Sequence, residues 1–153
     1  MPETISNTSP LQYLYQCNLL DLLPGLYGRV VVPEAVAAEI REGRVLGVSV
    51  PAIEDLPWTS IKAPKDPALL PLVADLGQGE REVLALGKES PGALVILDDG
   101  LARRYASHLG LRLIGIAAVA PVLDQLESLG FRVDPATRAL VLLKAGEASG
   151  GSP

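Results

Sequence analysis

Short apolar runs recur along this chain, each ended by a turn signal and followed by a helix-patterned stretch, and few folds accommodate that alternation. The runs are Thr4 to Asn7, Val30-Val31-Val32, Leu94 to Leu97 and Leu111 to Ile114. All have strand length, and the second is β-branched throughout between Gly28 and Pro33. Thr59 to Lys62 reads as an edge strand. A helix is expected to start at Thr8-Ser9-Pro10, with Ser9 capping before the proline and Leu11, Leu14 and Tyr15 at helical spacing. Further helices are expected over Asn18 to Leu23, ended by Pro24-Gly25, and over Glu34 to Arg41, opened by Pro33 and closed by Gly43. The remaining ones are Pro67 to Asp75, Glu80 to Lys88, Leu101 to Leu109, Ala117 to Leu129 and Pro135 to Ala145. Strands alternating with helices predict an α/β fold, a three-layer α/β/α sandwich around a mostly parallel sheet. One domain over residues 1–145 is expected, with 146–153 a small, polar, flexible tail.

Composition narrows the chemistry. The single Cys17 and single His108 exclude an internal disulfide, a cysteine zinc cage and a multi-histidine site. A bound metal would need oxygen ligands, which favours magnesium or manganese. No apolar run reaches the ~18 residues that span a bilayer, and no basic-then-apolar leader opens the chain, so a cytoplasmic protein is expected. The net charge of −5 argues against nucleic-acid binding by bulk electrostatics. The objection is weak, because Glu39, Glu80, Asp98 and Asp99 account for most of that excess.

In a parallel sheet ligands gather at the carboxyl ends of the strands. Asn7 and Asp98 both fall at such ends. Asn7 reads either as a turn residue bonded to its own backbone or as a side chain reaching over the sheet. Glu39 borders the buried stripe marked by Val36 and Ile40, and a boundary charge and a ligand are both open to it. Glu34 and Glu42 fit structural and solvated roles. Glu80 shares a helical face with Val83, Leu84 and Gly87, so it is carried towards the core side. Capping is its plain alternative, with Glu82 as a helper. Asp98-Asp99 supplies two adjacent carboxylates where a helix cap needs one. Arg103 and Arg104 follow on the polar side of the next helix, where phosphate contact and an ordinary solvated face compete. Cys17 reads as a small core residue and His108 as a local, structural one. There is no phosphate-binding loop and no serine elbow with a triad, which weakens the reading as a nucleotide-binding regulator.

Four segments stand in a recognisable order: Ser6-Asn7-Thr8-Ser9-Pro10-Leu11, Val32-Pro33-Glu34-Ala35-Val36, Leu76-Gly77-Gln78-Gly79-Glu80 and Leu97-Asp98-Asp99. Together they resemble PIN domains, and within these a VapC-like subfamily, in which Gly77 to Glu82 reads as GxGExE. The resemblance spans about residues 4–145. It implies a metal-dependent endoribonuclease in which carboxylates hold Mg2+ or Mn2+ and activate water against an RNA phosphodiester. Carried over, the catalytic set is Asn7, Glu39, Glu80 and Asp98, with Asn7, Glu80, Asp98 and Asp99 at the metal. Thr8, Ser9 and Glu82 are in support. It also implies a toxin-like role, a small antitoxin partner and a homodimer. Asn7 departs from the aspartate usual there. An amide oxygen can ligate a hard cation but brings no full charge, so impaired activity is expected. The alternative is a non-catalytic PIN-fold module that binds RNA or protein.

Overall fold

A computed structural model describes residues 2–66, 73–114, 135–136 and 138–139. Five strands, β1 (Thr4–Ser6), β2 (Val30–Pro33), β3 (Thr59–Lys62), β4 (Leu94–Ile96) and β5 (Arg112–Ile114), form one sheet in the order β3-β2-β1-β4-β5. Every pairing is parallel, with Ile5 against Val31 on one side and Ser6 against Ile96 on the other. Among the described residues the helices α1 (Thr8–Gln16), α2 (Leu22–Tyr27), α3 (Glu34–Val45), α4 (Gln78–Glu89) and α5 (Gly100–His108) flank it. The fold is the all-parallel form of the expected α/β sandwich.

Burial follows strand position. The three inner strands are covered on both faces, so β1, β2 and β4 are buried along their whole length. The edge strands β3 and β5 are half-buried to exposed. This is why the inner runs are almost uninterrupted by charge while Lys62 and Arg112 occupy the edges. Ile5, Val30, Val32, Val36, Leu84, Val95 and Leu97 are fully buried in one cluster. Each contributes about 1.5–3 kcal/mol by leaving water.

Several helix ends differ from expectation. The helix expected from Asn18 starts only at Leu22, with Asn18 itself at φ 56°, and the one expected from Glu80 starts at Gln78. Pro24-Gly25 does not end a helix but lies inside α2. Pro24 occupies the first turn, where its missing N–H has no carbonyl to bond. The stop is Gly28, at φ 72°. Gly43 does not close α3, which runs to Val45 and is followed by Gly47 at φ 83°. Ser9 is not the cap of α1: the helix starts at Thr8, and the capping position belongs to Asn7. The expected helix Ala117 to Leu129, most of Pro67 to Asp75 and the tail lie outside the described residues. So does most of Pro135 to Ala145, although 135–136 and 138–139 are helical. Among the described residues no helix is long and apolar enough to cross a membrane.

Candidate metal centre

Asn7 is both the last rung of the sheet and the first residue outside α1. Its backbone is extended, at φ −79° and ψ 176°, and its N–H donates to the Ile96 carbonyl at 3.1 Å. Continuing the ladder with β4 turns its side chain away from the free amides of α1, and it makes no capping bond. Instead Nδ2 donates to Glu80 Oε1 at 3.3 Å, across 73 residues of sequence. The residue is only 2% exposed. Its Oδ1 is buried with no hydrogen-bond partner among the described residues, a state that costs about 1–3 kcal/mol unless water or a cation satisfies it. The turn-residue reading of Asn7 therefore fails.

Glu39 and Glu82 hold two helix ends in exchange. The capping positions of α3 and α4 are Pro33 and Gly77, neither of which makes a side-chain capping bond. Glu39 of α3 accepts the Gly79 N–H of α4 at 3.1 Å, and Glu82 of α4 accepts the Ala35 N–H of α3 at 2.8 Å. Each helix thus supplies the carboxylate that satisfies a free amide of the other. The Thr8 hydroxyl donates to the second oxygen of Glu39. Sequence reasoning saw Glu39 and Glu82 but not this exchange. The signal was present in two helix starts, Pro33 and Gly77, that lack a side-chain acceptor.

Gly79 was missed as a functional position. A Cβ there would stand 2.9 and 3.0 Å from the two Glu39 carboxylate oxygens and 3.1 Å from Asn7 Oδ1. Only a residue without a side chain lets these oxygens gather around one point. The sequence places Gly79 just before a helix from Glu80, whereas α4 starts at Gln78 and puts Gly79 in its first turn, so local sequence carried no signal for this crowding.

Asn7, Thr8, Glu39 and Glu80 are thus joined through hydrogen bonds and Gly79. Asp98 stands at the same end of the sheet, two residues past the Ile96 rung that faces Ser6, and is exposed. It makes no hydrogen bond to the other four. Asp99 caps α5, accepting the Ala102 N–H at 2.8 Å, so one of the paired aspartates is taken up structurally. Ser9 is half-buried in the first turn of α1. Among the described residues no three His, Cys, Asp or Glu side chains are grouped closely enough to hold a metal. Asn7 Oδ1 gathers with the two Glu39 oxygens around Gly79, while its Nδ2 holds Glu80. All candidate donors are hard oxygens, and the unsatisfied Oδ1 is the feature that fits a magnesium- or manganese-like cation.

Desolvation raises the Asp98 pKa above its ordinary 3.8, against the pull of Arg103 and with the push of Asp99. An acid that keeps its proton more firmly when folded destabilises the fold as pH rises through its folded pKa. In chelator, Asp98→Asn is therefore expected to melt higher than the parent at neutral pH. The advantage should vanish below pH 3.8. Melting curves across pH check this, and an Asp98→Asn curve parallel to the parent's would refute it.

A parallel α/β sheet with helix N-termini and polar side chains gathered at its carboxyl edge is the arrangement in which α/β folds bind ligands. A family model described as a PIN domain matches residues 3–147, and the chain belongs to that family. A search of curated proteins returned no match.

Proposed function

We propose that this chain is an endoribonuclease of the PIN type that depends on Mg2+ or Mn2+ and whose activity is weakened by Asn7. The observation that carries the reading is the buried, unpartnered Asn7 Oδ1 at the carboxyl edge of the sheet, on a side chain whose Nδ2 holds Glu80. Asn7, Glu80 and Asp98 would hold the cation, with Asp99 beside them. When bound, it would supply activation of a water and neutralisation of charge developing on the phosphate. Glu39 acts as a positioning residue, held by Thr8 and the Gly79 amide. The VapC-like GxGExE pattern supports a toxin-type role, with a small antitoxin and a second copy of the chain as partners.

The second reading, a binding module without catalysis, draws on one observation. The Asn7 amide already occupies one Glu80 oxygen, which lowers the charge available to a cation.

Thermal melting tests the metal. At about ten times its dissociation constant a cation adds about 1.4 kcal/mol, about 3–6 °C for a chain of this size. Mn2+ at millimolar concentration is expected to give a rise of that order over chelator. No shift in the parent and none in Asn7→Asp would defeat the metal reading.

A further inference from the structure

The outer face of α5 carries Arg103 and Arg104, then Ser107 and His108 one turn further on. With Gly100 and Leu113 of β5 these four line an open cleft of about 340 Å³. A second hollow of about 220 Å³ shares Arg104 and His108 and is completed by Leu101 and Tyr105. Neither lining contains a carboxylate. Arg104 and His108 are exposed, and no hydrogen bond or ion pair engages them among the described residues. Arg103 Nε is buried and equally without a hydrogen-bond partner. Arg103 also attracts Asp98, which puts this end of the cleft beside the candidate metal centre. The Tyr105 hydroxyl donates to Asp75 at 3.0 Å, which fixes the edge of a ring that packs partly against the core.

We propose that this face of α5 is a binding track for single-stranded RNA, with Arg103 and Arg104 on phosphates and the Tyr105 and His108 rings against bases. A chain with net charge −5 gains little from its surface as a whole, so attraction to a polyanion must come from a local patch. The exposed Arg104 guanidinium, with Arg103 shared with Asp98, provides one, and ring faces interleaved with them are the sequence-tolerant way to hold an unpaired strand. From Gly100 to His108 the helix rises about 12 Å, longer than a single phosphate group. The choice of RNA rests on the nuclease reading above.

The test is fluorescence anisotropy of a short, mixed-sequence, labelled single-stranded RNA with the full chain in chelator, where no metal-dependent cleavage occurs. Arg104→Glu and His108→Ala are the variants because both positions are exposed, and circular dichroism checks their fold. The expected result is salt-sensitive binding by the parent and at least about tenfold weaker binding by Arg104→Glu. Arg104→Ala should lower the slope of log affinity against log salt by about one. His108→Ala should weaken binding about fivefold or more. Absence of binding by the parent at low salt, or equal affinity in Arg104→Glu, would overturn the proposal. Metal-dependent cleavage by an Asn7→Asp variant would still leave the nuclease reading standing in that case. Binding through α5 without any cleavage by that variant would do the reverse.

Discussion

Asn7→Asp is expected to convert a weak or silent protein into a metal-dependent ribonuclease, at a cost in stability when metal is absent. In the parent, Nδ2 donates to Glu80 Oε1 at 3.3 Å. An aspartate oxygen in that place turns the contact into two facing acceptors, both charged. In chelator the variant should lose about 1–3 kcal/mol, since a hydrogen bond is lost and buried acceptors are left unpaired. Mn2+ should more than restore it, because the added charge raises affinity for a hard cation. Metal catalysis contributes several kcal/mol to such reactions, so cleavage of a mixed RNA pool should rise about 100-fold over the parent. Adding Asp98→Asn should cancel the gain. The measurements are melting curves and single-turnover cleavage in manganese, magnesium and chelator. Equal inactivity of parent and variant, with the larger metal-induced stabilisation present, would favour the binding-module reading.

Gly79→Ala is the second large effect, and its sign opposes the usual rule. Within a helix this change normally stabilises by about 1 kcal/mol. Here the new methyl would press on three oxygens at 2.9, 3.0 and 3.1 Å. The expected result is a loss of about 1–3 kcal/mol from overpacking, with Glu39 displaced from the Gly79 amide. In the Asn7→Asp background the change should also remove the metal-induced rise in melting temperature and the cleavage. Gly100→Ala, whose Cβ would meet nothing within 4 Å, is the comparison and should be neutral or stabilising. Denaturant unfolding of the two variants side by side decides the matter: equal effects would remove the crowding argument.

Much of this protein is determined locally. The strand runs and the spacing between them carry the parallel sheet, because a central strand must be apolar on both faces while an edge strand need not be. The carboxyl-edge placement of Asn7, Glu80 and Asp98 follows from the same reasoning, since each position is set by where its own strand ends or its helix begins. Helix ends were less legible. Pro24-Gly25 and Gly43 have the residues of a stop, yet α2 and α3 continue through them and end beyond, at Gly28 and before Gly47. Local propensity is small beside the burial of Leu22, Leu23 and Ile40 on those helices. Which carboxylate does what was decided only by tertiary structure. Glu39 and Glu82 are similar in sequence context, and their exchange of capping bonds depends on α3 and α4 being side by side. Asp98 and Asp99 are adjacent in sequence, and the start of α5 determines that Asp99 is taken as its cap while Asp98 stays free. The unpartnered oxygen of Asn7 has the same origin: one more rung with β4 turns its side chain from the helix it precedes towards Glu80, and no property of residues 6–9 alone requires that.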